Sequence, residues 1–549
     1  MDQAQVLGAL AATLQPETNK QATTQLKQME KIIGFPECLI NCLTAPEVPV
    51  GVQQCTAIYL KNLLDRFYEQ DENEPNKFSI HENDKNYLRN NILECIVKTP
   101  DNVRNQLLVI VRKMIKIDYK NSDRWRDGLN ENILKLLQNT DNNPHMWLAG
   151  LLVLLQLTKV FEYVQVEDTD RHFFMDAMRT FLPVMQSMSE NLCTSDDPNA
   201  ALLQKIILKS FFALSQYKLP IDLFTPENAN SWINILKATI SQKVPEVAGF
   251  ADLDEKERSE LPHWKAKKWA LHVANRLFDK YGCPGKVEDE YEQFAQFFMN
   301  NCAKELLSIQ LPLLAQKREG QWVSNKVMML ILSYIELGVA HSQTWSVIKG
   351  ETFINLVKEI CFPLMCFSED DAQLWEEDPE EYVRSKFDIF AECTSAKSAA
   401  EDLVRTACKK RKDILNQVMN FAQAELGNLS NQQPETVDGI FNLICSVSDQ
   451  LMNKKPYKAQ LDQLTKMFFI PLCESDQGYL RARGLFCIKS FAEAKLKKQT
   501  VLEVFRIAMQ LLTTNPSEDQ EQDMPVQVEA AMALSRLAHI HQDKTGQFI

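Results

Sequence analysis

Apolar residues recur along this chain at intervals of three and four. After Pro100, Val103, Leu107, Ile110, Met114 and Ile117 keep that spacing, while Arg104, Arg112, Lys113 and Lys116 occupy the remaining faces. Such a pattern predicts a helix with one stripe buried and the other wetted. Similar stripes run the length of the chain, parted by short breakers: Gln15-Pro16, Ala45-Pro46, Thr99-Pro100, Asn143-Pro144, Asp197-Pro198, Thr225-Pro226 and Lys455-Pro456. Proline is tolerated in a first helical turn, where an N–H would have had no intrahelical partner, so each breaker marks a predicted helix start. No segment of period two predicts a strand. The chain reads as all-α.

A helical chain of 549 residues cannot surround a single core. Internal similarity indicates how it divides. Pro49-Val50-Gly51-Val52-Gln53-Gln54-Cys55-Thr56-Ala57 aligns with Pro525-Val526-Gln527-Val528-Glu529-Ala530-Ala531-Met532-Ala533, and Leu480 to Cys487 is a looser third copy. Small residues at the middle positions allow neighbouring helices to approach closely. Helix pairs recurring at about 40–47 residues predict a HEAT-repeat α-solenoid, a superhelical arch of roughly twelve helix pairs continuous over 1–549. Four polar segments read as loops: Glu69 to Glu82, Lys243 to Pro262, Ser368 to Glu381 (an acidic insertion over 367–382) and Thr513 to Met524.

Composition narrows the chemistry. Glycine is scarce, 16 of 549 residues, against the glycine-dependent phosphate turns of Rossmann and P-loop enzymes. The formal charge of −13 is the wrong sign for a duplex-DNA binder and favours basic partners. Fourteen cysteines without a C-x-x-C pair fit buried free thiols in a reducing compartment. The N-terminus lacks a signal-peptide pattern, and the longest apolar run, Trp147 to Leu155, is too short to span a bilayer. These features predict an intracellular, soluble chain with no nucleic-acid or membrane partner. None of the eight histidines has metal-site spacing, and His539-Ile540-His541 would point its rings apart on a helix. Gly282-Cys283-Pro284-Gly285-Lys286 is too short for a phosphate loop and reads as a turn between helices. We find no catalytic constellation and no cofactor motif.

Charge clusters are more informative. Glu369, Asp370, Asp371, Glu376, Glu377, Asp378, Glu380 and Glu381 lie in one stretch with no basic residue, and Trp375 sits among them. A large aromatic in a merely solvated loop is wasteful, so Trp375 is expected to anchor the loop or meet a partner. Lys409-Lys410-Arg411-Lys412 reads as a solvated helix face, and Lys265, Lys267 and Lys268 around Trp264 and Trp269 as a helix start against an aromatic core. On a wheel, Val52, Thr56, Tyr59, Leu63 and Phe67 share one arc. Gln54, Lys61 and Asp65 lie opposite, with Asn62 at the flank and Ile58 on the polar arc.

Val52-Gln53-Gln54 followed by Ile58-Tyr59-Leu60-Lys61-Asn62 resembles the N-terminal repeat of the importin-β (karyopherin) superfamily. Leu261 to His272, Phe362 to Cys366, Leu374 to Arg384, Ala407 to Lys412 and Tyr479 to Arg483 are similar to its importin-seven and importin-eight branch. Members are about twice as long, so the chain looks like an N-terminal half, consistent with its ending at Ile549 without a polar capping repeat. The resemblance implies a nuclear transport receptor, shuttling between cytoplasm and nucleus, that binds cargo, nucleoporin Phe-Gly repeats and Ran-GTP. It implies no catalysis and no cofactor, since GTP is held by Ran. Basic cargo proteins and importin-β are the further partners implied. Ran-GTP would release cargo; an export receptor, or a HEAT scaffold without a transport role, is the alternative. Repeats over 1–140 would bind Ran, with Gln54, Lys61, Asn62, Glu94 and Asp118 as candidates. The acidic segment Glu369, Asp370, Asp371, Trp375, Glu376, Glu377 and Asp378 would meet Ran or basic cargo.

Overall fold

The structure, a computed structural model, describes residues 2–69, 78–139, 143–164, 169–388, 395–513 and 524–542. Among them every regular element is helical. They form two compact units, one of residues 1–246 with 265–273, the other of 247–264 with 274–549.

In the first unit the helices alternate between two layers. Val50–Phe67, Asp101–Asp118, Pro144–Phe161 and Pro198–Leu214 stack side by side as one layer. Phe35–Thr44, Glu82–Lys98, Asp123–Leu137, Thr169–Leu192 and Pro226–Ser241 supply the other. This is the helix-pair stacking of HEAT repeats: helices pack on a hairpin partner, as Asp123–Leu137 on Pro144–Phe161, and on a counterpart in the next pair, as Val50–Phe67 on Asp101–Asp118. Leu60, Leu107, Ile133 and Leu151 are fully buried in the seams. Pro144–Phe161 is, among the described residues, the one helix long and apolar enough to cross a membrane. Here it packs against Asp101–Asp118, Asp123–Leu137 and Pro198–Leu214, and Leu151, Leu154 and Leu157 are wholly inside.

Pro144, Pro198 and Pro226 open their helices, each after a residue (Asn143, Asp197, Thr225) whose side chain caps a backbone N–H. Pro100 stands one place earlier, at the cap, and Pro456 is the second residue of Lys455–Lys458. Pro16 and Pro46 depart from expectation and lie in turns. There Pro36, just inside its helix, and Pro49, at its cap, do the work instead.

Helix C-termini are closed by an unanticipated device. Arg104, expected on a wet face, is buried: its Nε donates to Ile96 O at 3.1 Å and its Nη2 to Thr99 O at 2.8 Å, at the end of Glu82–Lys98. Arg171 donates to Phe161 O at 2.9 Å and Val164 O at 3.0 Å. Lys267 is 2 % exposed, and its Nζ donates to the carbonyls of Thr239, Ile240 and Gln242 at the end of Pro226–Ser241. Burial pushes this lysine's pKa down to about 7. A cation on terminal carbonyls satisfies acceptors that the helix itself cannot, so these positions read as polar in sequence yet belong to the interior.

The second unit repeats the layering. Asn325–Val339, Ala396–Lys410, Pro434–Ser446, Gly478–Ser490 and Met524–Ile540 stack in succession. The aligned segments beginning at Pro49, Leu480 and Pro525 therefore all fall on layer-forming helices. Among the described residues, three longer helices pass through π turns, at Phe298–Cys302, Val357–Cys361 and Thr465–Phe469, and Pro262–Arg276 ends in one at Leu277–Tyr281. Gly282–Lys286 is a turn, as read, with Gly285 at φ +72°. His541 is buried, and its Nε2 lies 2.9 Å from Ala492 O. Lys243 to Pro262 is partly helical, holding Glu255–Glu260. Residues 70–77 and 514–523 of the other expected loops lie outside the described residues.

Candidate functional site

Two surfaces gather the residues singled out in the sequence. The first is built by Val50–Phe67 and Asp101–Asp118. Gln54, Ile58, Lys61 and Asp65 follow the i, i+4, i+7, i+11 spacing of one helix face, and Asn102, Gln106, Val109 and Lys113 repeat it on the neighbour. The stripes meet rung by rung. Asn102 Nδ2 donates to Gln54 Oε1 at 3.1 Å, Lys61 Nζ to Gln106 Oε1 at 3.3 Å, and Lys113 Nζ pairs with Asp65 Oδ1 at 2.9 Å. Between the rungs Ile58 and Val109 remain 37 % and 49 % exposed. Exposed polar pairs around uncovered aliphatic side chains make a surface suited to a protein partner.

Beside this ladder lies an open groove of about 630 Å³, whose walls include Ile58, Asn62 and Asp65 together with Thr13, Lys27 and Arg66. Arg66 closes one wall by donating to both carboxylate oxygens of buried Glu30, at 3.2 and 2.9 Å. Asn62 thus faces the groove, while Gln54 and Lys61 belong to the ladder. The buried arc of the helix also needs adjustment. It comprises Val52, Gln53, Thr56, Ala57, Leu60, Leu63 and Leu64, with Tyr59 and Phe67 only half-buried.

Two candidates do not join this surface. Glu94 is exposed on Glu82–Lys98, a helix of the other layer, and pairs with Lys98 at 2.5 Å. Asp118 is buried: Arg89 Nε donates to its Oδ2 at 2.9 Å, and the Tyr68 hydroxyl donates to the same oxygen. Burial first, then the Asp118 charge, drives the Tyr68 hydroxyl far above its ordinary pKa. Asp118 therefore ties its helix to the core. Asn102, Gln106 and Val109 complete the surface, and the i, i+4, i+7 spacing is the one sequence signal that carries them.

The second surface is the acidic segment, which is not a loop. It folds as two helices, Glu369–Glu377 and Pro379–Phe387. Ser368 starts the first with a reciprocal cap: Asp371 N donates to Ser368 Oγ at 3.0 Å and Ser368 N to Asp371 Oδ2 at 3.1 Å. Asp378 starts the second by accepting from Glu381 N at 2.9 Å. Burial alone would push the Asp371 carboxyl up, but Lys397 and the Ser368 bonds hold it below the usual range. Two carboxylates of the cluster are thus committed to helix caps. Glu369, Asp370, Glu376 and Glu377 remain exposed.

Trp375 is the anchor. It is 7 % exposed, with ring centroids 4.9 Å from Tyr382 and 6.2 Å from Phe367, which stacks on Tyr479 at 4.0 Å. Gly478 leaves room for it, because a Cβ there would stand 3.0 Å from the indole. Pro379–Phe387 packs in turn on Met524–Ile540. The hairpin therefore spans helices far apart in sequence and keeps Glu369, Asp370, Glu376 and Glu377 exposed.

Comparison with known proteins gives this geometry its family. Residues 22–98 match the importin-beta N-terminal domain, and residues 171–455, just over half of the chain, match the Cse1 family. The chain belongs to the Cse1 family of the importin-β superfamily. It is 37% identical to human Importin-8 over 541 residues, 98% of this chain and 51% of that protein. The chain thus spans about half the length of the curated relatives it matches. The cargo-free, cytoplasmic state of the exportin Cse1 is similar over all of this chain and 58% of its own, with TM-score 0.75 and 16% identity. The Kap95:Nup1 complex matches with TM-score 0.61 and 12% identity, covering 100% of this chain and 57% of that one. Kap121p bound to RanGTP matches with TM-score 0.50 and 13% identity, covering 99% and 45%. At such identities these structures speak to the fold, which is the HEAT-repeat fold of karyopherins.

Proposed function

We propose that this chain is a nuclear import receptor of the importin-eight type, in which Ran-GTP and cargo compete. The observation that carries the reading is the 37% identity to Importin-8 over 98% of the chain. The ladder and groove of the N-terminal repeats form the Ran surface, with Gln54, Lys61, Asn62 and the aliphatic Ile58 and Val109 as its centre. The exposed carboxylates at Glu369, Asp370, Glu376 and Glu377 attract a basic partner, on Ran or on cargo. Phe-Gly nucleoporins are further partners under this reading, and the protein shuttles between cytoplasm and nucleus.

The mechanism needs no catalysis from this chain. Stacked helix pairs touch only their neighbours, so small shifts between pairs can sum to a large change in curvature. If Ran-GTP and cargo favour different curvatures, each lowers the other's affinity by the same factor. The nucleotide stays on Ran, and no cofactor enters.

Export is the second reading, favoured by the Cse1 family match over 171–455 and the likeness to the exportin Cse1. Adding Ran-GTP to a preformed complex with a basic cargo separates the two. Release of cargo supports import, retention supports export, and indifference to the nucleotide on Ran removes both.

A further inference from the structure

The basic run at 409–412 has no role in the reading above, and the structure places it differently from a solvated helix face. The helix Ala396–Lys410 ends inside the run. Arg411 turns inward: its Nε donates to Val339 O at 2.6 Å and its guanidinium lies 5.0 Å from the Trp345 ring centroid. Lys412 and Asp413 then form a turn, with Asp413 at φ 67°. A second basic segment, Lys454 with the short helix Lys455–Lys458, lies alongside. Tyr457 donates its hydroxyl to Asn416 Oδ1 at 2.8 Å, and Lys454 lies within electrostatic reach of Cys408. Lys409, Lys410, Lys412, Lys454, Lys455 and Lys458 are all exposed, and among the described residues none has a carboxylate partner. Elsewhere cations are commonly paired, as at Arg66–Glu30 and Arg483–Asp438.

We infer that these two basic segments form a docking surface for an acidic, Asp/Glu-rich peptide segment of a partner protein. Six unpaired ammonium groups on a chain of net charge −13 concentrate positive potential in one place, and a short acidic segment complements it. The same features disfavour nucleic acid. Single-stranded nucleic acid is gripped by stacking on aromatic faces. Here the Trp345 ring is already covered by Arg411 and packed against Phe353. A long polyanion would also meet the negative remainder of the chain.

The test is fluorescence anisotropy on the full chain with a labelled Glu/Asp-rich 12-residue peptide and, separately, a 12-nucleotide RNA, each from 50 to 300 mM salt. The triple variant K409E/K410E/K412E is compared with K256E/K304E/K498E, which makes the same charge change at three exposed lysines elsewhere. The milder K409Q/K410Q/K412Q guards against misfolding, and circular dichroism monitors each variant. The surface predicts peptide binding that falls with salt, weakens about tenfold or more in the first triple, weakens less in the glutamine variant, and persists in the control. Absence of peptide binding, equal loss in both charge-reversed triples, or RNA bound as tightly through the same lysines would overturn the inference. None of these measurements involves Ran.

Discussion

Lys386 Nζ sits 3.1 Å from Glu529 Oε1, and Lys489 Nζ donates to the other carboxylate oxygen of Glu529 at 2.9 Å. Glu529 is 1 % exposed, so this carboxylate is shared by two cations in the interior. One cation comes from the acidic hairpin, the other from Gly478–Ser490. The hairpin is thereby fastened to two layer helices at its C-terminal end, as Trp375 fastens its first helix.

Glu529→Ala should cost on the order of 3–5 kcal/mol, because it leaves two lysines facing each other without their counter-charge. Calorimetry checks the stability loss. Hydrogen exchange should show faster opening of 379–387, with 325–339 unchanged.

Acid should act through the same group. Burial alone would push the Glu529 carboxyl up, but the Lys386 and Lys489 charges prevail and hold it below its ordinary value near 4.5. A depressed carboxyl contributes stability that is complete above that ordinary value and lost as pH falls through the lower folded value. Denaturant unfolding at pH 6, 5, 4 and 3 should therefore show a steeper acid loss in the native chain than in Glu529→Gln.

Trp375→Ala should cost about 3–5 kcal/mol of local stability by emptying the cluster with Phe367, Tyr382 and Tyr479. Exchange protection over 369–387 should collapse while circular dichroism changes little. Uniform protection in the variant would contradict an anchoring role.

Reversing Glu369, Asp370, Glu376 and Glu377 to lysine should weaken a basic partner by about tenfold or more at low salt and flatten its salt dependence. Asp371 and Asp378 are left in place because each caps a helix, and losing a cap costs about 1 kcal/mol on its own. Binding that keeps its affinity and salt slope would separate the hairpin from any basic ligand.

The helical layering was legible because the i, i+3, i+4 spacing of Val103, Leu107, Ile110 and Met114 reports burial directly. Arg104 and Asp118 differ from their sequence pattern for a single reason. A charged side chain satisfied by carbonyls or by an opposite charge can be buried, and neither partner is close by in the pattern. The acidic segment was misread as a loop because its charge density masked two capping signals, Ser368 with Asp371 and Asp378 before Pro379. The ladder at Gln54, Lys61 and Asp65 was half visible: its first stripe stood out on the wheel, while the matching stripe at Asn102, Gln106 and Val109 becomes a site only when two helices lie side by side.

A calorimetric titration with Ran locked in its GTP and GDP states, on the native chain and on I58E/V109E, tests the central claim most directly. A Ran surface at the ladder predicts at least about tenfold tighter binding of the GTP state, and loss of that binding in the double variant with its melting temperature unchanged. Equal affinity for both nucleotide states, or undiminished GTP-state binding by I58E/V109E, would contradict it.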